Sequence, residues 1–257
     1  MTGADVIAAL ELPAGASVDQ RVPKKLLLEN GAPTAGDKRS INDGIEALLW
    51  IAALKPTTIG VAAYRDDVRE YLEIAVLQLA LRPDAKALRL TELVHRAIPY
   101  PVLLIGEQGA GITISAAHKR WSQNETDKTV LADEVVSADI NPADMSGCWP
   151  DFRASLSLAR QPSGDLHALY QGWIDVMLAW QAARRTGRFS VPNSPASALA
   201  RREALAACAR LEAELRRLRA AAAKEKQMNR RVDINLAIQR LEAEMVNHQT
   251  ELCGEAT

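Results

Sequence analysis

Cysteine is scarce in this 257-residue chain: Cys148, Cys208 and Cys253 are odd in number and far apart. That excludes a disulfide framework and a cysteine-built zinc cluster. Aromatic residues make up only 4%. No apolar run reaches the roughly 18 residues that a membrane-spanning helix requires. Neither sign of charge prevails, with 31 Lys and Arg against 32 Asp and Glu and a net charge of -1. That balance argues against a wholesale basic coat for nucleic acid and against a solvating acidic tail. The start, MTGADVIAALELPAG, carries acids where a secretory leader needs a basic flank, so the expected compartment is the cytoplasm, without membrane contact.

What the chain has is alanine, 44 residues of it, within an apolar content of 48%. Alanine is the strongest helix former, so the composition leans towards helices. The first forty residues are broken by Pro13, Pro23 and Pro33 and read as loop with short pieces of structure. From Asp37 onward, Ile41, Ile45, Leu48, Leu49, Ala52 and Ala53 recur at three and four residues, which predicts one amphipathic helix over 38–55, stopped at Pro56. Runs 57–63, 71–81, 102–105 and 112–115 are apolar and β-rich between breakers, and predict strands of one sheet, the last two as a hairpin around 106–111. Residues 129–140 read as a further strand after the polar run WSQNETDK, and 88–98 as a second helix. The expected fold is α+β: a small, mostly antiparallel sheet with packing helices, then a helical region and a coiled-coil-like C-terminal segment. The expected domains are 1–150 (α+β), 151–187 (helical), 188–198 (linker) and 199–257 (a heptad helix or helical hairpin).

In that last segment Ala204, Cys208, Leu211, Leu215, Leu218 and Ala222 step by four and three, and so do Ile234, Ile238, Leu241, Met245, His248 and Leu252. Twelve residues separate the two seams where an unbroken phase gives eleven, so the phase slips within 224–231. With no glycine or proline marking a turn, one long helix seeking a partner or a second copy is preferred over a closed hairpin. The expected contact residues are Leu211, Leu215, Leu218, Ile234, Ile238, Leu241, Met245 and Leu252.

Catalytic signatures are thin. A metal-dependent nuclease gathers carboxylates around a divalent cation with a lysine to position water. Glu46, Glu73 and Lys119 are weak candidates, since Ala75 stands where an acid-x-lysine site needs lysine. GEQGAG at 106–111 lacks the Lys-Ser/Thr of a phosphate loop, and no Gly-x-Ser-x-Gly occurs. His95, His118, His167 and His248 form no i, i+4 pair, so no metal site and no cofactor are expected. Charge is nonetheless segregated. Between Arg184 and Arg231 thirteen basic residues face four acids, a surplus of +9 that the rest of the chain offsets with -10. Lys24, Lys25, His118, Lys119, Arg120, Arg216, Arg217, Arg219, Lys224, Arg230 and Arg231 are therefore candidates for weak, salt-dependent phosphate contacts with DNA or RNA.

Several segments together resemble a known family. They are Leu12-Pro13, Arg21-Val22-Pro23-Lys24-Lys25, Asp37-Lys38-Arg39, the stretch ending Trp50-Ile51-Ala52-Ala53-Leu54-Lys55-Pro56, and Tyr71-Leu72-Glu73-Ile74. Ile98-Pro99-Tyr100-Pro101, Ala117-His118-Lys119-Arg120 and KEKQMNRRVDIN at 224–235 complete the set. In order and spacing the chain resembles, over nearly its whole length, the bacterial and archaeal domain of unknown function family 4391. The resemblance implies genomic company with helicases and DNA methyltransferases of anti-phage defence loci, and it carries no catalytic residues to transfer. The expected function is a non-catalytic accessory subunit of such a complex, bound to a helicase or methyltransferase or to itself through 199–252. The alternatives are a divergent divalent-metal nuclease and a nucleic-acid-binding module using 184–231.

Overall fold

The computed structural model describes residues 2–123, 128–140 and 147–254. Residues 124–127 of the expected polar loop and the end of the expected C-terminal segment, 255–257, lie outside them. The chain divides into two compact units, Met1–Met177 and Leu178–Thr257.

The first unit is α+β. Its main sheet has six strands in the order β1 (Ser17–Arg21), β2 (Ile45–Leu54), β5 (Ile74–Leu81), β6 (Val102–Gln108), β7 (Gly111–Ala116) and β10 (Val136–Ile140). Every neighbouring pair is antiparallel except β5–β6, which is parallel. A parallel pair needs a crossover, and helix α5 (Ala87–Ala97) supplies it. The β6–β7 hairpin turns on Gly109-Ala110 alone, with Gly109 at φ +59, so the strands run further into the glycine-rich stretch than its composition suggests.

After the N-terminal helix α1 (Gly3–Ala9), helices α2 (Lys24–Asn30) and α3 (Ala35–Gly44) join α5 in covering one core. Leu27, Ile41, Leu90, Leu93, Val94 and Ala97 from the helices meet Ala75, Leu77, Leu79 and Leu81, every second residue of β5. Gly31 follows α2 where it presses on α5. A Cβ there would stand 2.7 Å from the Leu93 carbonyl oxygen and 2.7 Å from the Ala97 methyl. Gly31→Ala is therefore expected to cost about 1–3 kcal/mol. A thermal melt should show it as a drop of about 2–4 °C per kcal/mol, and an unchanged melt would refute the packing argument.

Four expected elements are corrected. The helix over 38–55 ends at Gly44, and Ile45–Leu54 is strand β2, paired with β1 on one side and β5 on the other. Register shifts between Ile45 and Ala47 and between Trp50 and Ala52 break the two-residue alternation. The buried set Ile45, Leu48, Ala52 therefore recurs at three and four, which imitates a helix. The run 57–63 is not in the sheet: Pro56–Ile59 is a short helix, α4, closed by Gly60 at φ +69. Proline at its first position and the Thr58 hydroxyl accepting from the Lys55 N–H (2.9 Å) start it. The strand over 129–140 is two strands: β9 (Thr129–Leu131) pairs with β8 (Lys119–Trp121) in a separate ribbon, and only β10 joins the main sheet. Likewise the 71–81 strand is split, since Tyr71 lies in β4 (Glu70–Tyr71), paired with β3 (Tyr64–Arg65).

Helix α6 (Trp149–Ser155) precedes α7 (Leu166–Thr186), whose early turns are tied to the strands. The Tyr170 hydroxyl donates to the Val102 carbonyl at 2.7 Å and accepts from the Ala117 N–H at 2.9 Å. The Trp173 indole N–H reaches the Leu156 carbonyl at 2.9 Å.

The second unit is helical. After the last turns of α7 come α8 (Pro195–Lys224) and α9 (Met228–Gly254), separated only by 225–227. The Ser194 hydroxyl caps α8, with Pro195 at its first position, so the helix starts inside the expected linker. The preferred single long helix is corrected: α9 folds back on α8 as an antiparallel hairpin, and Arg219 meets Glu242 across it at 2.7 Å. The phase slip within 224–231 is where the turn falls. Among the described residues, no helix is long and apolar enough to cross a membrane.

Candidate functional site

The three nuclease candidates do not converge. Glu46 is exposed at the end of β2 that pairs with Leu81, whereas Glu73 stands just before β5, beyond the Leu54–Ile74 pair. Eight residues of strand put them roughly 25 Å apart. Glu73 is buried, and its carboxylate is held by the Lys55 ammonium at 3.0 Å, an ion pair across the ends of β2 and β5. The contact holds the Lys55 ammonium above the ordinary lysine range. Lys119 is 1% exposed. Its ammonium donates to the Ile98 carbonyl at 2.8 Å and to the His95 carbonyl, the end of α5. A cation there satisfies carbonyls that the helix leaves open and opposes its dipole. Burial pulls this lysine down to about 8. Among the described residues no three His, Cys, Asp or Glu side chains come together as a metal-binding group.

The run His118-Lys119-Arg120-Trp121, whose three basic residues are expected as phosphate contacts, does not present them together. It is β7's exit and strand β8, with His118 and Lys119 turned inward. His118 belongs to a polar network that spacing alone did not reveal. The Gln171 amide oxygen can only accept, so His118 Nε2 carries the proton donated to it at 2.8 Å. His118 Nδ1 is then the acceptor of the Tyr71 hydroxyl at 2.5 Å, and the Gln171 NH2 continues to Asp175 at 2.8 Å. His167 stacks on both His118 and Tyr64 with ring centroids 4.9 Å apart, and Arg69 lies 3.1 Å from its Nε2. Burial and the neighbouring Arg69 charge hold His167 below the ordinary histidine range, so it is neutral at physiological pH. The Tyr71 hydroxyl, both His118 ring nitrogens and the Gln171 amide are directed at one another or at Asp175, whereas the Arg69 Nε is buried without a hydrogen-bond partner. The cluster joins β4, β8 and α7, and its chemistry is that of a fastening.

The remaining basic candidates are on the surface. The Lys24 ammonium donates to the Asn42 carbonyl at 2.9 Å, Lys25 pairs with Glu29 at 3.7 Å, and Arg120 donates to the Trp121 carbonyl at 3.2 Å. In the hairpin, Arg217 is engaged by Glu214 and Arg219 by Glu242, while Arg216, Lys224, Arg230 and Arg231 are exposed. Of the +9 stretch, Arg201 is buried and bonded to Ser190, and Arg185 pairs with Glu212 at 3.0 Å. The usable positive field is smaller than the charge count.

The hairpin also settles the expected contact residues. Leu211, Leu215 and Leu252 are buried, and Leu218, Ile234, Ile238, Leu241 and Met245 are half-buried, because the two seams cover each other. Besides Leu199 on α8, apolar surface is left open on the outer side of α9. Met228 is 74% exposed, Val232 49%, Leu236 48% and Val246 57%. Their spacing of four, four and ten with Ala243 between was readable as a second stripe opposite the first, but the first seam, richer in Leu and Ile, drew the reading.

A family model described as a domain of unknown function, DUF4391, matches residues 10–245. The chain belongs to that family. The match spans nearly all of the first unit and most of the second. No curated protein and no solved structure matches the chain.

Proposed function

We propose that this family member is a non-catalytic accessory subunit of a DNA-processing complex of the helicase and methyltransferase kind, and that it holds its partner through the C-terminal hairpin. The observation that carries the reading is the outer stripe of α9, a row of large apolar side chains left in solvent by a helix whose other side is already occupied. The dispersal of Glu46, Glu73 and Lys119, with Glu73 and Lys119 each held in a local structural role, supports the non-catalytic part. The identity of the complex rests on the resemblance set out above.

Co-expression with any helicase and DNA methyltransferase encoded beside the gene, the company that the resemblance implies, tests it. The wild-type chain is expected to co-purify with one of them and to support phage restriction. Val232→Glu with Leu236→Glu is expected to abolish both while leaving the helical circular dichroism intact. Retention of both by that variant would overturn the role of the stripe. Metal-dependent cleavage of DNA or RNA by the purified chain, lost in Glu73→Gln, would overturn the non-catalytic assignment in favour of a nuclease.

A nucleic-acid contact is a subordinate reading, favoured by the exposed Arg216, Lys224, Arg230 and Arg231. It predicts sequence-independent binding whose log affinity falls with log salt by a slope of only a few phosphates.

A further inference from the structure

The outer face of α9 is written as one half of a symmetric pair. At about 100° per residue, Met228, Val232, Leu236, Gln239, Ala243 and Val246 fall within an arc of about 80°, opposite the seam that packs on α8. The steps are four, four, three, four and three, the spacing by which a helix pairs with another helix along its length.

The charges beside this stripe are self-complementary in one direction only. Asp233 and Arg240 stand on one flank, each one residue past a stripe position. Arg231 and Asn235 stand on the other flank, together with Glu242. In an antiparallel pair that sets Val232 against Ala243 of the second copy, Leu236 falls against Gln239. The same alignment brings Asp233 beside Arg240 of the second copy. Symmetry repeats each contact, so Asp233 and Arg240 of both chains are satisfied together. A parallel pairing would instead set Asp233 beside Met228 and Arg240 beside Asn235 of the second copy, so neither charge would gain a partner. Among the described residues neither Asp233 nor Arg240 has an ion-pair partner within its own chain, whereas Glu242 is already held by Arg219. Both charges would gain an ion pair in the antiparallel dimer that they lack in the monomer.

We propose that this protein self-associates through the outer stripe of α9, as a two-fold antiparallel pair in which Asp233 of each chain meets Arg240 of the other. The inference rests on the reading of the hairpin as the interaction surface: in the chain alone a second copy occupies the stripe, and the helicase or methyltransferase competes with that copy for it. The stripe from Met228 to Val246 is about 27 Å long at 1.5 Å per residue, and one helix pair of that length buries less than a standard interface of about 1,600 Å². The dimer is accordingly weak and concentration-dependent, exchanging with monomer.

Sedimentation equilibrium of the full chain is the test. Wild type is expected to show a monomer–dimer equilibrium in the micromolar range, and Leu236→Glu to be monomeric throughout. Asp233→Arg alone and Arg240→Asp alone are each expected to weaken the dimer about tenfold or more, because each puts like charges together twice. The double variant Asp233→Arg with Arg240→Asp restores the pairing with the signs exchanged, and its affinity is expected to return close to that of wild type. A wild-type chain that stays monomeric, a dimer that survives Leu236→Glu, or a double variant no tighter than either single one would each overturn the proposal. Failure of the accessory-subunit reading is distinguishable. If Leu236→Glu removes helicase or methyltransferase binding while the charge variants leave self-association unmoved, only the self-pairing falls. If the charge exchange rescues the dimer while neither enzyme co-purifies with wild type, only the assigned complex falls.

Discussion

Lys119→Ala is expected to lower the stability of the first unit by roughly 2–4 kcal/mol, although the residue reads in the sequence as one member of a surface basic run. The side chain is 1% exposed, so its four methylenes fill core space that alanine leaves empty. Its ammonium serves the His95 and Ile98 carbonyls at the end of α5, and without it those oxygens remain buried without that donor. Against these losses stands the relief of a charge that burial disfavours, as the fall of its pKa to about 8 records. Lys119→Met separates the two. It keeps most of the volume and removes the charge, so it should cost about 1 kcal/mol or less than half the alanine effect. Urea unfolding followed by circular dichroism measures both. The pH dependence has a definite sign as well. The unfolded lysine holds its proton up to about 10.5 while the folded one releases it near 8, so the unfolded state binds more protons in that window and stability rises with pH across it. Lys119→Met should flatten that rise. Alanine and methionine variants with wild-type urea midpoints would show that Lys119 does not hold the α5 end.

Acid should destabilise the protein well before its carboxylates titrate, and His95 is the reason. The ring is fully buried, with Nε2 3.0 Å from the Ser115 hydroxyl and no partner at Nδ1. Burial first, and then the Lys119 charge, push its pKa down to about 3. An unfolded histidine takes up its proton near 6.5, so between 6.5 and 3 the unfolded state binds more protons, and stability falls as pH falls through that window. At 1.36 kcal/mol per unit the loss is of the order of 3–5 kcal/mol. His167, also held below its ordinary range, adds in the same direction. Asp37, pulled to about 2 by Arg89, contributes only below the ordinary aspartate value of 3.8. The two windows are therefore separable. His95→Leu combined with Ser115→Ala replaces both hydrogen-bonding partners by apolar groups. Its urea midpoint should change much less than that of wild type between about pH 7 and pH 4.5. Parallel profiles for the two proteins would show that His95 is not the group responsible.

These two residues mark where the sequence is silent. Lys119 and His95 are 24 positions apart, and nothing in their neighbourhoods says that one will cap the helix carrying the other. His118 is similar, since its tautomer is set by Gln171, 53 positions away. Elements whose stabilisation is local were readable. Helix α5 shows its apolar face at Leu90, Leu93, Val94 and Ala97, and the β6–β7 hairpin shows two apolar runs about a glycine turn. Strand β2 was not readable, because two register shifts gave a two-sided strand the spacing of a helix. A bulge is decided by the partner strand, which spacing along one strand cannot report.

The C-terminal hairpin divides the same way. By itself the sequence determined that 199–252 is helical, that it carries two four-three seams, and that their phase slips within 224–231, because helical periodicity is a local property of side-chain order. It also determined the family, through motifs spread over both units. Only the tertiary structure decided that the slip is a turn, since without glycine or proline the free energy that bends the chain there comes from burying one seam on the other. That choice consumed the contact residues expected from the seams and left Met228, Val232, Leu236 and Val246 in solvent. Which apolar stripe remains available to another molecule depends on which one the fold has already covered, and that follows from packing between segments distant in the chain.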